Sequence, residues 1–123
     1  RGLHFQNNPH GQGKLVRVTK GSVIDIALEI RKNSKTYGKH FKYKLSEQNA
    51  TMLWIPFGFA HGFIALEEQT IFQYKCNALY NPESEECIVW NDPSLEIDWE
   101  TKNPIVSTKD QKGKLFKDVH LIC

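Results

Sequence analysis

The sequence has no strong excess of either charge and no long apolar run. Its 123 residues include 16 lysines and arginines against 14 aspartates and glutamates, which leaves a net charge of +2. Because no basic stripe stands out, we expect no nucleic-acid partner. No segment approaches the roughly 18 consecutive apolar residues that a membrane-spanning helix needs, so we expect no membrane partner either.

The cysteines are few and irregularly spaced. There are three of them, Cys76, Cys87 and Cys123, and no Cys-x-x-Cys pair. An odd number without zinc-type spacing predicts reduced thiols rather than a disulfide framework. We therefore expect a cytoplasmic protein.

The length of 123 residues suits one domain with its own core, and we expect residues 1–123 to form that single domain. The first residue is not methionine, and the chain opens within a strand-like segment. This start predicts that residues upstream are absent from the sequence.

Strand-like patterns cover nearly the whole sequence. From Val23 to Ile30, large aliphatic residues alternate with Asp25, Ala27 and Glu29, which predicts a strand with one strongly apolar face. Further short strands are predicted at 15–18, 41–45, 52–55, 62–66, 70–76, 87–90 and 96–99. Many short strands at close spacing favour an all-β jelly-roll barrel. The lysine-rich tail after Asp110 is expected to form a short helix or a frayed end.

Two short apolar stretches near the start carry side chains suited to acid–base chemistry. His4 lies in the first stretch and Lys14 in the second, with a loop rich in proline and glycine between them. A hairpin here would place the imidazole and the ammonium group in one cavity. Histidine titrates near neutral pH and can remove a proton beside a carbonyl, while lysine can stabilise the enolate oxygen.

Such a base works best when a carboxylate holds its imidazole in one tautomer. Asp110 and Asp25 are the two candidates, and the sequence does not decide between them. A tyrosine suits the acid on the opposite face of the substrate, because its phenol is protonated at pH 7.

The segment Pro56-x-Gly58-x-x-His61 resembles the second conserved motif of the cupin superfamily. Its proline and glycine would form a tight turn that directs His61 into the mouth of a barrel. Metal-binding cupins supply His-x-His in the first motif, but here the residues are His4-Phe5-Gln6, and an amide is a poor metal ligand. A site without metal is therefore favoured, and a metal-dependent oxygenase or isomerase with His4 and His61 as ligands is the alternative. The other histidines are expected at the surface.

Taken in order, the segments of this sequence resemble the nucleotide-sugar 3,5-epimerases typified by dTDP-4-dehydrorhamnose 3,5-epimerase. They extend from Arg1 to about Asp110 and read RGLHFQ, QGKLVRV, GSVIDIALEIRKNSKTYGK, LWIPFGFAHGF, FQYK, YNPESE, WNDP and STKD. The resemblance implies a cupin-type double-stranded β-helix and an isomerase that needs no cofactor. It implies inversion of C3 and/or C5 of dTDP-4-dehydro-6-deoxyglucose, towards dTDP-4-dehydro-L-rhamnose for polysaccharide and lipopolysaccharide biosynthesis. It also implies a homodimer formed through an N-terminal arm that precedes the present sequence.

The resemblance also implies a role for each matching residue. His4 is expected to be the catalytic base with Asp110 as its carboxylate partner, Tyr74 the general acid, and Lys14 the group that stabilises the enolate. The expected substrate contacts are Arg1, Lys14, His61, Tyr80, Glu85 and Lys109. Phe57 stands where the family usually has glutamate, so another nucleotide or sugar stays open. A single inverted carbon also stays open, because relatives with only 3- or 5-epimerase activity share these motifs. A sugar-nucleotide-binding protein without turnover is a further alternative.

Overall fold

The computed structural model describes residues 1–121, and two antiparallel β-sheets make up most of its regular structure. The strands are β1 (His4–Gln6), β2 (Lys14–Lys20), β3 (Ser22–Glu29), β4 (His40–Ser46), β5 (Leu53–Ile55), β6 (Phe59–Ala65), β7 (Ile71–Cys76) and β8 (Glu85–Cys87). One sheet has the order β4-β3-β6-β1-β8 and the other the order β5-β2-β7. The all-β architecture expected from the sequence is confirmed.

The first two strands belong to different sheets. β1 pairs with β6 and β8, whereas β2 pairs with β5 and β7. The predicted hairpin between them is therefore wrong, because the loop 7–13 crosses from one sheet to the other. This crossing still brings His4 and Lys14 to one cavity, since the two sheets pack together there.

Strand β3 lies at the centre of the packing, and all eight of its residues are buried. Its strongly apolar face, predicted from the alternation, packs in an apolar cluster with residues such as Leu3, Ile88 and Trp99. The other face is buried as well, because Val23 and Ala27 pack between the two sheets. Asp25 and Glu29 lie in that same alternating set and are buried too.

The C-terminal third differs from the predicted strands. The strand predicted at 87–90 is displaced to β8, and residues 96–99 form no strand. A 3-10 turn at Pro93–Leu95 ends with Glu96 in a left-handed conformation, which directs the chain away from a sheet. A short helix, α1 (Thr108–Gln111), contains Asp110. The tail after Asp110, expected to form a short helix or a frayed end, carries a second 3-10 turn at Phe116–Asp118. None of the helical segments between residues 1 and 121 has the length and apolar character needed to cross a membrane.

Candidate active site

A cavity of about 600 Å³ opens between the two sheets. Seven of the nine predicted site residues line it: Arg1, His4, Lys14, His61, Tyr74, Tyr80 and Glu85. The other two contact this lining: exposed Lys109 through Glu85, and buried Asp110 through His4. The volume falls within the range of roughly 300–1,000 Å³ that is typical of small-molecule sites.

His4 forms a dyad with Asp110. The Nε2 atom of His4 lies 2.7 Å from Oδ1 of Asp110, and the backbone N–H of Gly2 donates to Oδ2 at 3.0 Å. Asp110 is 3% exposed, so its position in α1 is an interior one rather than the solvated turn that its neighbours suggest. Burial opposes ionisation of this carboxyl, but the hydrogen bonds from Gly2 and His4 outweigh it, and the pKa of Asp110 is lowered.

The protonation state of His4 follows from this geometry. An ionised Asp110 accepts a hydrogen bond from Nε2–H, which leaves the Nδ1 lone pair free. Burial lowers the pKa of His4 below its ordinary value, although the hydrogen bond and charge of Asp110 oppose this shift. The imidazole is therefore neutral near pH 7, as a general base requires.

His61 has a carboxylate partner of its own. Its Nε2 lies 2.7 Å from Oδ2 of Asp25, which is fully buried on β3. The other oxygen of Asp25 has no hydrogen-bond partner in the part of the chain that the structure describes. The two aspartates left open by the sequence thus serve different histidines: Asp110 pairs with His4 and Asp25 with His61.

Glycines allow the close approach of the two histidine strands. Gly2 adopts a φ of +107°, and a Cβ there would lie 2.5 Å from the carbonyl oxygen of His61. Only glycine fits such a contact without displacing the backbone. Because β1 can therefore lie against β6 at this point, His4 is placed directly opposite His61.

Lys14 and Tyr74 stand on the facing wall, in the three-stranded sheet. Lys14 pairs across strands with Cys76, and Tyr74 pairs with Val16. Burial lowers the pKa of Lys14, and nearby acidic groups oppose that shift. Tyr74 is 48% exposed, so its phenol reaches both the cavity and solvent.

Glu85 connects the dyad to the mouth of the cavity. Its Oε2 accepts hydrogen bonds from the hydroxyl of Tyr80 at 2.6 Å and from Nζ of Lys109 at 3.0 Å. Its Oε1 lies 3.8 Å from Nδ1 of His4. Burial opposes ionisation of Glu85, but these donors outweigh it, and the pKa of the carboxyl is lowered.

Sequence reasoning missed two glutamines that hold the loop at the mouth. Nε2 of Gln6 donates to the carbonyl of Leu79 at 3.2 Å, and its Oε1 accepts from the N–H of Asn81 at 2.9 Å. Gln12 donates to the carbonyl of Ala78 at 2.8 Å. Gln6 occupies the place of a metal ligand in the cupin motif, but here its side-chain amide holds the backbone of the loop at residues 79–81. No signal in the sequence indicates these long-range contacts.

Phe72 and Cys76 also line the cavity and were missed. The alternation of a strand could have indicated them, because residues 72, 74 and 76 share one face of β7 with the predicted acid Tyr74. The ring of Phe72 lies 6.1 Å from that of His61, so the aromatic wall extends from Tyr74 to the buried histidine.

The donor atoms do not match the metal alternative. Between residues 1 and 121, the group of three potential ligands consists of His4, Cys87 and Asp110, within 4.8 Å of one another, and does not include His61. Within it, His4 and Asp110 are already hydrogen-bonded to each other. Burial raises the pKa of Cys87 to about 12, so its thiol is protonated and a weak ligand at neutral pH.

Comparison with known proteins places this geometry in a family. A family model described as dTDP-4-dehydrorhamnose 3,5-epimerase matches residues 1–118. The chain is 50% identical over 119 residues to the dTDP-4-dehydrorhamnose 3,5-epimerase of Pseudomonas aeruginosa. That alignment covers 96% of this chain and 65% of the relative, so the chain spans about two thirds of the relative's length.

Solved structures agree with the sequence matches. The crystal structure of dTDP-4-dehydrorhamnose 3,5-epimerase from Elizabethkingia anophelis superposes with a TM-score of 0.94 at 46% identity, covering 96% of this chain and 66% of that one. The structure of a Legionella pneumophila enzyme in complex with dTDP-4-keto-L-rhamnose superposes with a TM-score of 0.92 at 45% identity. The superposition covers 98% of this chain and 64% of that one. The fold is therefore the cupin-type double-stranded β-helix. With its model matched over nearly the whole sequence, the chain belongs to the dTDP-4-dehydrorhamnose 3,5-epimerase family.

Proposed function

We propose that this protein epimerises a 4-keto nucleotide sugar, converting dTDP-4-dehydro-6-deoxyglucose towards dTDP-4-dehydro-L-rhamnose. One observation carries the proposal: a histidine held by a carboxylate and a tyrosine stand on opposite walls of one cavity, with a lysine beside them. Inversion at carbon needs a base on one face of the sugar and an acid on the other. His4 in the five-stranded sheet and Tyr74 in the three-stranded sheet meet this need.

The chemistry starts with proton removal. Nδ1 of His4 takes the proton from C5 or C3 beside the 4-keto group, and the C–H electrons move into an enolate. Lys14 stabilises the developing negative charge on the enolate oxygen, and Asp110 stabilises the imidazolium. The phenol of Tyr74 then donates its proton to the opposite face of the carbon, which inverts the centre. No redox step occurs, so the reaction requires no oxidant or reductant.

The lining of the cavity suits an anionic nucleotide sugar. We assign Arg1 and Lys14 to the diphosphate and sugar, with Lys109 as a further cation at the mouth. Tyr80 is exposed at the rim and suits stacking on the base, while His61 binds the sugar from the inner wall. The Legionella pneumophila relative bound to dTDP-4-keto-L-rhamnose supports this substrate class.

The test is incorporation of solvent deuterium into the substrate, followed by NMR. We expect deuterium at both C3 and C5 with the parent protein, and loss of incorporation at both carbons with His4→Ala. His120→Ala is the matched control, because this histidine is exposed and lies outside the cavity lining. Unchanged exchange in His4→Ala would remove His4 as the base.

The same assay separates the alternatives. Exchange at one carbon alone would identify a single-carbon epimerase. Nucleotide-sugar binding without any exchange would identify a binding protein, and activity that depends on added metal would support the metal-dependent alternative.

We also propose that the protein works as a cytoplasmic homodimer, formed through the N-terminal arm that the family resemblance implies. Cys76 is exposed and free, which suits a reducing compartment. The outer face of the three-stranded sheet presents Met52 and Trp54 to solvent, and a second copy would cover them.

A further inference from the structure

The proposed reaction leaves the site in a state that must be reset. After one inversion His4 holds an extra proton and Tyr74 lacks one. Neither group can act again until the imidazolium loses its proton and the phenolate gains one. A second inversion on the same sugar requires this reset as well, so the site needs a proton route between each group and solvent.

The two groups differ sharply in their access to water. Tyr74 is 48% exposed, so water can protonate its phenolate directly. The side chain of His4 is only 11% exposed, and its Nε2 is held by Asp110 at 2.7 Å. Because His4 lines the cavity, a bound sugar would lie between its Nδ1 and bulk water. His4 therefore depends on a neighbouring group.

Glu85 is placed to serve this need. It lies diagonally across from His4 on the neighbouring strand, since β8 pairs Cys87 with His4 and Glu85 with Gln6. Such diagonal neighbours share one face of a sheet. Oε1 of Glu85 lies 3.8 Å from Nδ1 of His4, and Tyr80 and Lys109 hold the other oxygen towards the mouth.

We propose that Glu85 is the proton relay that returns His4 to its neutral form after each inversion. The Nδ1–H bond of the imidazolium breaks as an O–H bond forms on Oε1, either directly after a shift of about 1 Å to hydrogen-bond distance or through one water molecule. The carboxylic acid then releases the proton to water at the rim, and water protonates the Tyr74 phenolate. Protons balance over the cycle, and no electron leaves the site. This inference rests on the proposed function.

The environment of each group favours a different step: that of His4 favours loss of its proton, and that of Glu85 favours release of the proton to water. Burial lowers the pKa of His4, so its imidazolium gives up a proton more readily than an exposed one. The donors around Glu85 lower its pKa against the effect of burial, so the carboxyl does not retain the proton. The exposed side chain of Lys109 marks the solvent end of the route.

The test compares Glu85→Gln with Glu86→Gln in the full-length protein. Glu86 is the matched control, because it lies outside the cavity lining and pairs with Lys114. We expect Glu85→Gln to lower kcat about tenfold or more with a smaller change in KM, because the reset becomes rate-limiting. In Glu85→Ala, formate should restore kcat in proportion to its concentration, since it fits between Tyr80 and Lys109.

Three outcomes overturn the relay. An increase in KM with unchanged kcat in Glu85→Gln makes Glu85 a substrate contact alone. A fall in kcat that formate does not restore in Glu85→Ala makes it a structural residue. Equal losses of kcat in Glu85→Gln and Glu86→Gln would show that Glu85 has no specific role in returning His4 to its neutral form. A parent protein without deuterium exchange overturns the proposed function instead, and the relay with it.

Discussion

His4 has two carboxylate neighbours, and each acts on a different nitrogen. Asp110 holds Nε2 at 2.7 Å, whereas Glu85 approaches Nδ1 to 3.8 Å. The first contact fixes the tautomer and favours the imidazolium, and burial opposes it by favouring the neutral ring. Burial has the larger effect, so the pKa of His4 lies below the ordinary value of 6.5.

This direction sets the pH dependence of the reaction. The base is active when neutral, so kcat/KM should fall only as the pH drops through the lowered pKa of His4. We expect the acidic limb of the profile below pH 6.5, the ordinary pKa of a histidine side chain. Asp110→Asn removes a group that raises the pKa, so the limb should move to still lower pH while kcat drops about 100-fold or more.

The measurement is a profile of kcat/KM from pH 4.5 to 8 (roughly the range over which a perturbed histidine titrates). Asp118→Asn is the control, because this aspartate is exposed and lies outside the cavity lining. A limb that moves to higher pH in Asp110→Asn would contradict the assigned effect of the dyad.

At the scale of single residues, the sequence identified the histidines but not their partners. Asp25 and Asp110 were both candidates for His4, and the distance along the chain does not distinguish them. Asp110 is 106 positions from His4, so only the packing of α1 against Gly2 decides the pair. Asp25 is taken by His61, its neighbour across β3 and β6.

Strand β3 is the element on which both apolar clusters depend. Ile26 is fully buried in the cluster on the outer side of the five-stranded sheet, and Val23 and Ala27 pack between the sheets. The same strand positions Asp25 beside His61. Loss of packing on one face of β3 therefore affects the stability of the cavity wall.

We expect Ile26→Ala to lower the free energy of unfolding by about 2–5 kcal/mol, the usual effect of deleting a buried aliphatic side chain. Lys44→Ala on the exposed part of β4 should change it by less than about 0.5 kcal/mol. Urea unfolding followed by circular dichroism measures both variants. The slope of the unfolding free energy against urea concentration should match that of the parent protein if unfolding is two-state. A loss below about 1 kcal/mol in Ile26→Ala would contradict the central position of β3.

At the scale of elements, the alternation predicted most strands but not their partners. The strands around residues 15–18, 41–45, 52–55, 62–66 and 70–76 all exist, with ends shifted by up to three residues. The hairpin of β1 and β2 was wrong because a period of two says which face a residue occupies, not which sheet its strand joins. The strand predicted at 96–99 was wrong because Glu96 adopts a left-handed conformation after the 3-10 turn. Trp99 is buried outside any sheet, and its Nε1 donates to the carbonyl of Trp90 at 2.8 Å.

For the whole molecule, the three-stranded sheet has two unlike faces. Val16, Leu53 and Tyr74 share the inner face, and Leu15, Trp54 and Lys75 share the outer one. Trp54 is 52% exposed on this outer face. An exposed aromatic beside other apolar side chains is typical of an interface.

We expect the full-length protein to sediment as a dimer and Trp54→Glu to shift it towards the monomer, because a buried charge opposes association. Phe41→Glu is the matched control, since Phe41 is 51% exposed on β4 of the other sheet. Analytical ultracentrifugation at several concentrations measures both. A dimer that Phe41→Glu disrupts while Trp54→Glu leaves it intact would place the interface on the five-stranded sheet.

The sequence by itself determined the all-β class, the family and most of the residues around the cavity, because period-two alternation and ordered motifs are local properties of the chain. The tertiary structure decided which carboxylate each histidine receives, how Gln6 and Gln12 hold the rim, and where Glu85 stands. These relations join residues tens of positions apart. They arise from the packing of two sheets and from the hydrogen bonds that buried polar groups must form, and no local pattern encodes them.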